Sequence, residues 1–311
     1  MLLKVLPDGY KNMAVYQFAE MSLFLTAITF PEKSDPNSGH ITVTFTPPEG
    51  SDSPPTSIDI PLSPDTSDLE KFKVSMHRSP TDAYIMPAEF NDWFTSCFGF
   101  PVILAYLGDH RREVRFEEMM PAKENGWLST LSKLPTAILG SSESTKDSEN
   151  KRITFADCAP FLVTSQASLE DVSARLPDGV SMDVTKFRPN IVLSGASAAW
   201  EEDFWAELVT GNVTLSLVHN CARCKSINVD YRTGKPGEGE EGNVLKKLQR
   251  DRRVDPGMKW SPVFGRYAFL AEGGDGEVIR IGDEAKVTKV NKERTVFSKF
   301  PVQRGWGASC F

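Results

Sequence analysis

The chain has 311 residues, of which 40% are hydrophobic and 25% are charged, and its formal net charge is −7 at pH 7. This composition is typical of a soluble globular protein with one large or two ordinary domains. The negative charge argues against a general nucleic-acid binder, because phosphate binding requires a basic surface. There is neither an apolar run of membrane-spanning length nor a secretory signal, so we expect an intracellular protein without a membrane span.

The first third of the chain is predicted to consist mainly of strands. Ile41, Val43 and Phe45 alternate with threonines, which is the period of a half-buried strand. A loop rich in proline and serine separates them from Ile58 and Ile60, and this arrangement favours an antiparallel hairpin.

A helix that ends at Gly99 and an apolar strand over residues 101–107 are predicted next. The apolar face of this helix is defined by side chains at helical spacing, namely Phe90, Trp93, Phe94 and Cys97. A polar segment over residues 140–150 has nothing to bury and marks a boundary between two halves. We therefore predict an N-terminal domain, a connecting region, a second domain and a tail, over residues 1–115, 116–152, 153–292 and 293–311.

The second half mixes strands with short helices. Ser168 is the candidate N-cap of a helix whose apolar face carries Leu169, Val172 and Leu176. Further helices are predicted over residues 200–208 and 243–250, and strands over residues 191–193, 213–218, 267–270, 278–281 and 286–290. Many short strands with few helices predict an α+β fold that is mainly β and barrel-like.

The cysteines do not form the regular, even-numbered set of a disulfide framework. They are Cys97, Cys158, Cys221, Cys224 and Cys310. The most informative segment is His219-x-Cys221-x-x-Cys224, which directly follows a run of alternating apolar residues. Arg223 and Lys225 flank the second thiol, and neighbouring cations favour the thiolate, which is the form that binds soft metals.

The residues alone leave three interpretations of this pair open. His219, Cys221 and Cys224 have the spacing of half a zinc site, but a closed site needs two more ligands and no second tight pair follows. A Cys-x-x-Cys redox motif opens a helix, whereas here Ile227 and Val229 alternate and no helix is predicted. The third interpretation is two buried structural cysteines, because free cysteine is among the most buried residue types.

Several segments together resemble the MOSC family, which includes mitochondrial amidoxime-reducing proteins and their bacterial and fungal relatives. In chain order they are Asp157-Cys158-Ala159-Pro160-Phe161-Leu162, Phe187-Arg188-Pro189-Asn190, Glu201-Glu202-Asp203-Phe204-Trp205, Arg223-Cys224, Ser261-Pro262-Val263-Phe264-Gly265-Arg266-Tyr267 and Ile281-Gly282-Asp283. The resemblance covers residues 155–290 and implies a MOSC β-barrel domain with helices. The first 110 residues resemble the smaller N-terminal β-barrel domain of the same family.

The resemblance implies a molybdenum cofactor (Mo-molybdopterin) held by residues of this chain. Cys224 matches the catalytic cysteine that ligates molybdenum. Arg188 and Asn190 match residues that hold the pterin and its phosphate, while Arg223 and Tyr267 match positions that line the cofactor. These residue types suit those roles, because a guanidinium binds phosphate bidentately and a carboxamide offers a donor and an acceptor to a pterin edge.

Two features depart from the family pattern. Cys158 stands where relatives offer a hydroxyl to the cofactor. Relatives also begin with a strand whose lysine and serine bind the phosphate, followed by a basic turn, whereas residues 1–9 resemble the strand after that turn. The resemblance therefore predicts an N-terminally truncated domain that lacks its first strands, together with any signal or anchor before them.

The resemblance implies an oxidoreductase that reduces small N-hydroxylated compounds in the cytoplasm or in mitochondria. We expect no haem, flavin or zinc on this chain, and because no Gly-rich dinucleotide motif or ferredoxin-type cysteine cluster occurs, an outside electron donor is required. The electrons would come from a separate partner, either a cytochrome b5-like protein or a flavin reductase. Two alternatives stay open: a sulfur-carrying or cofactor-handling protein, and a non-catalytic MOSC-fold protein without cofactor. In the molybdenum-cofactor sulfurases of this family, the MOSC domain follows a pyridoxal-phosphate domain, and this chain is too short to contain such a domain.

Overall fold

The computed structural model describes residues 1–114, 152–271 and 273–297. Within them the chain is mainly β with few helices and barrel-like sheets, which confirms the predicted fold class. The predicted connecting region, apart from its last residue, lies outside the described residues, and so does most of the predicted tail, including Cys310.

The N-terminal part contains two antiparallel sheets. Its elements are, in chain order, β1 (Leu2–Leu6), β2 (Gly9–Asn12), a 3-10 turn (Ala19–Leu23), β3 (Phe24–Thr29), β4 (His40–Phe45), β5 (Thr56–Pro61), β6 (Lys71–Met76), β7 (Ser79–Ile85), α1 (Ala88–Phe98), β8 (Val102–Tyr106) and β9 (Arg112–Glu113). One sheet has the order β2-β1-β8-β7-β6 and the other the order β3-β4-β5. α1 packs Phe94 against Val43 of the second sheet.

The predicted hairpin and helix are confirmed in this part. β4 pairs with β5 so that Ile41 faces Ile60 and Val43 faces Ile58. α1 ends at Gly99, whose φ of 72° lies in the left-handed region that glycine adopts without strain. The apolar strand predicted after the helix is β8.

The second part is organised around a six-stranded sheet. Its elements are β10 (Arg152–Ile153), β11 (Phe161–Ser165), α2 (Gln166–Ala174), β12 (Ile191–Leu193), β13 (Trp205–Thr210), β14 (Val213–Ala222), β15 (Val229–Asp230), β16 (Lys235–Pro236), α3 (Val244–Leu248), β17 (Val263–Leu270) and β18 (Ala285–Val290), with 3-10 turns at Val184–Phe187, Glu201–Phe204, Lys225–Asn228, Glu241–Asn243 and Pro256–Met258. The sheet order is β12-β11-β17-β14-β13-β18. β11 and β12 run parallel, and the other neighbours in this sheet are antiparallel. The remaining strand predictions, apart from residues 278–281, are confirmed, and the helix predicted over residues 243–250 is shorter.

The helix predicted over residues 200–208 is wrong. A single 3-10 turn, Glu201–Phe204, leads directly into β13. The pairing of β13 with β18 shifts register on both sides of Glu207, and Trp205 and Leu208 pack in the same buried cluster although they are three residues apart. A bulged strand thus produced the spacing that normally indicates a helix.

Two smaller predictions are also wrong. α2 begins one turn earlier than expected: Ser165 is its N-cap and accepts a hydrogen bond from the Ser168 N–H at 3.1 Å. The Ser168 hydroxyl instead donates to Glu202 at 2.7 Å. Residues 278–281 form no strand, and Ile281 and Val278 are exposed by 108% and 61%.

A buried carboxylate ties several segments of the second part together. Asp203 is fully buried and accepts hydrogen bonds of 2.8 Å from Arg252 and Arg294. Its main-chain oxygen accepts a hydrogen bond from Arg266. Burial lowers the pKa of Arg266 to about 10, against the opposing effect of the charges of Asp203 and Asp255. This charge cluster therefore joins three segments: the turn before β13, strand β17 and the segment after β18.

Asp203→Asn is expected to lower the free energy of unfolding by about 3–5 kcal/mol, because it leaves the buried Arg252 without its counter-ion. Glu207→Gln is the matched control. It breaks an exposed ion pair with Lys289 at 2.8 Å and should cost less than about 1 kcal/mol. Urea unfolding of both variants measures the difference. Similar small losses in the two variants would contradict the structural role given to Asp203.

Candidate functional site

The strand end that carries Cys221 and Cys224 places the two thiols in different environments. Cys221 lies inside β14, is only 3% exposed and packs in a buried cluster with Tyr267. Cys224 is partly exposed, and its Sγ lies 3.2 Å from Ser226 Oγ. A single 3-10 turn follows it where no helix was predicted. Only Cys224 is therefore positioned to bind a ligand from outside the core.

Arg223 connects this strand end to the segment that carries Arg188. Its Nε and Nη2 donate to the Phe264 carbonyl at 2.9 and 2.6 Å, and its Nη1 donates to the Phe187 carbonyl at 2.7 Å. The guanidinium also lies 5.3 and 5.6 Å from the rings of these phenylalanines, which stack at 4.0 Å. Phe187 immediately precedes Arg188, and Arg223 immediately precedes Cys224. The buried guanidinium thus holds the two predicted site residues in one wall.

Arg188 is exposed and is held by Asp157. Its Nη2 lies 2.8 Å from Asp157 Oδ2, and His77 Nε2 lies 3.1 Å from the other carboxylate oxygen. Burial by itself would raise the pKa of Asp157. The hydrogen bond from His77 and the charges of Arg188, His77 and Arg223 outweigh it and lower the pKa to about 2. Asp157 is therefore ionised at neutral pH and holds the side chains of both Arg188 and His77.

Asn190 lies at the start of β12, in the same wall. Its Oδ1 accepts a hydrogen bond from the Leu162 N–H at 2.8 Å, and its own N–H donates to the Leu162 carbonyl at 2.9 Å. The side-chain carbonyl is thus engaged with the backbone. The amide NH₂, which makes no hydrogen bond within the described residues, is the group left to contact a ligand.

Cys158 and Tyr267 form an interior layer with Cys221. The Tyr267 hydroxyl lies close enough to both thiols to influence their pKa values. Burial, with the charges of Asp157 and Cys221, raises the pKa of Cys158 to about 12, and burial also raises the pKa values of Cys221 and Tyr267. These groups stay protonated at neutral pH, so the two thiols are poor metal ligands.

A recess of about 190 Å³ opens beside this wall. Its lining combines apolar side chains with Lys186, Tyr231 and Arg232. Burial raises the pKa of Tyr231 and the charge of Arg188 opposes this rise, so this ring lies within electrostatic reach of the predicted site. The residues that complete its lining are Leu176, Val180, Ser181, Met182, Asp183, Asp230, Glu241 and Val244.

The structure brings most of the predicted site residues together, in two layers. Cys224, Arg188 and Asn190 form the accessible wall, and the guanidinium of Arg223 lies buried behind it. Sequence reasoning missed two contributors, His77 and Asp157, because no local motif distinguishes them. The only signal in the sequence was that Asp157 is a carboxylate within a segment that resembles the family.

Within the described part of the chain, no cluster of three or more histidine, cysteine, aspartate or glutamate side chains is arranged to hold a metal ion. His219, the third member of the zinc spacing, packs edge-on against the Phe297 ring at 5.7 Å. None of the helices described is both long and apolar enough to cross a membrane.

The MOSC domain model matches residues 150–286. Mitochondrial amidoxime-reducing component 1 of Homo sapiens is 40% identical over 136 residues, which are 42% of this chain and 38% of that protein. Component 2 of Rattus norvegicus is 39% identical over 139 residues, or 43% and 38% of the two chains. Component 2 of Bos taurus is 33% identical over 200 residues, or 63% and 50%. The chain thus spans half or less of the length of these relatives.

Asp157→Asn should remove a pH-dependent part of the stability. The folded pKa of about 2 lies below the unfolded value of 3.8, so this contribution is present above about pH 4 and is lost as the pH falls toward 2. The carboxylate is 37% exposed, and solvent screening limits the effect to about 1 kcal/mol. Urea unfolding between about pH 6 and pH 3 should show the variant and the wild type converging. A pH-independent difference would contradict the ion-pair role, and Asp52→Asn, in an exposed loop, is the control.

Proposed function

We propose that this chain, which belongs to the MOSC domain family through residues 150–286, binds a molybdenum cofactor and reduces N-hydroxylated compounds. The observation that carries the proposal is the partly exposed thiol of Cys224 on a segment that Arg223 links, through the Phe187 carbonyl, to the segment of the exposed Arg188. The relatives named as amidoxime-reducing components support the class of reaction. Their names also place them in mitochondria, and we propose a mitochondrial or cytoplasmic location for this chain.

The residues present fit such a cofactor. A thiolate is a suitable ligand for a redox-active transition metal, and Cys224 Sγ has only a hydroxyl, that of Ser226, within hydrogen-bonding distance among the described residues. Arg188 keeps N–H groups beyond the one that binds Asp157, and a planar guanidinium binds phosphate bidentately. The free NH₂ of Asn190 would donate to a carbonyl of the pterin. Arg223 and Tyr267 would act from behind this wall, by fixing its backbone and filling the space under it.

The reaction needs two electrons and two protons for each N–O bond that is cleaved, and it yields the reduced compound and water. The bound cofactor would supply the two-electron chemistry. Residues of this chain would bind it, orient it and shield it from water. The electrons would come from a separate haem or flavin protein, because the sequence has no dinucleotide-binding motif or iron–sulfur cluster motif.

Elemental analysis of the purified full chain tests this proposal. The wild type and Cys221→Ser should each contain about one molybdenum per chain, whereas Cys224→Ser should contain little or none. Cys221→Ser is the matched control, because it removes a neighbouring thiol that is buried and not available to a ligand. The loaded wild type should then reduce benzamidoxime when a reconstituted electron-donor chain is added. Equal molybdenum in both variants would exclude Cys224 as the ligand. Metal without reduction would favour a cofactor-handling protein.

A further inference from the structure

Backbone strain is concentrated near Asp157. Within the described residues only four residues other than glycine have a positive φ, and they are His77 (50°), Arg78 (62°), Arg188 (54°) and Trp200 (70°). The side chains of His77 and Arg188 both bind the carboxylate of Asp157, and Arg78 follows His77 directly. Side chains other than glycine are strained in this conformation, which persists where other interactions impose it and is often associated with function.

His77 and Arg78 form the two-residue turn between β6 and β7, in which Met76 pairs with Ser79. Such a turn requires a positive φ at both central residues, and asparagine followed by glycine is the favoured pair. A histidine followed by an arginine forms the turn at a cost in stability. The side chains of these residues therefore need an explanation beyond turn formation.

The turn is also held firmly against the second part of the chain. Arg112 is buried and donates to the carbonyl of Met76, the residue before the turn, at 3.0 Å. It also donates to two carbonyls in the second part of the chain, those of Thr154 at 2.9 Å and of Asp157 at 3.1 Å. One guanidinium thus fixes the tip of the β6–β7 hairpin relative to the loop that carries Asp157.

Positive charge exceeds negative charge around this junction. His77 and Arg188 are 44% and 66% exposed, and each binds only one oxygen of Asp157. The exposed Arg78 makes no hydrogen bond or ion pair within the described residues. The nearby arginines are Arg78, Arg112, Arg188 and Arg223, and the nearby carboxylates are Asp157 and Glu113.

We infer that the His77–Arg78 turn is a second wall of the candidate site and that it binds, together with Arg188, an oxyanion of the phosphate class. Asp157 is the positioning residue, because its two oxygens hold His77 and Arg188 side by side. Arg78 adds a further charged donor at the rim. The inference deepens the proposed function: the phosphate can belong to the cofactor or to a separate phosphorylated ligand.

Calorimetric titration of the full, metal-free chain with inorganic phosphate tests this inference. Arg78→Gly should weaken binding about tenfold, as expected for the loss of one charge-assisted hydrogen bond. Its unfolding midpoint should not fall, because glycine adopts the left-handed conformation without strain. His77→Gly should also weaken binding, and Arg253→Ala, which removes an exposed arginine outside the junction, should leave binding unchanged.

The result that would overturn the inference is wild-type phosphate affinity in both turn variants, or no phosphate binding by the wild type. A second arm identifies the source of the phosphate. If the cofactor supplies it, molybdenum-loaded protein will no longer bind added phosphate; if a separate ligand supplies it, loaded protein will still bind. Because the first arm uses metal-free protein, its outcome is independent of whether the chain retains molybdenum.

Discussion

The candidate site depends on one buried guanidinium. Burial of the Arg223 guanidinium is tolerable only while the carbonyls of Phe187 and Phe264 accept its hydrogen bonds. These same bonds fix the residues that precede Arg188 and Cys224. An accessible thiol and an exposed cation are thereby held in one rigid wall, although they lie on different segments of the chain. A lysine at position 223 would offer a single charged group in place of this planar fork.

The chemistry of the site follows from the contrast between its two layers. Burial keeps the Cys158, Cys221 and Tyr267 groups protonated behind the wall, so they form a neutral packing layer. The front layer carries the permanently charged guanidinium of Arg188, which Asp157 holds through one N–H group, so other N–H groups stay available. Such an arrangement favours an anionic ligand near Arg188 and leaves one thiol for a soft metal.

Local patterns predicted those elements whose geometry is set by neighbouring residues, such as β4 and the glycine-terminated α1. They failed at β13, where a bulge around Glu207 gave a strand the spacing of a helix. Cys224 was identified by resemblance, since its own spacing left three interpretations open. The part played by Asp157 could not be predicted, because its partners His77 and Arg188 are 80 and 31 residues away in the sequence.

The most direct measurement of the central claim is the position of molybdenum in crystals of the loaded full chain, located by anomalous scattering. We expect one strong peak within bonding distance of Cys224 Sγ, on the side of the wall that carries Arg188. A peak at Cys221 or Cys158, or one remote from all three thiols, would contradict it.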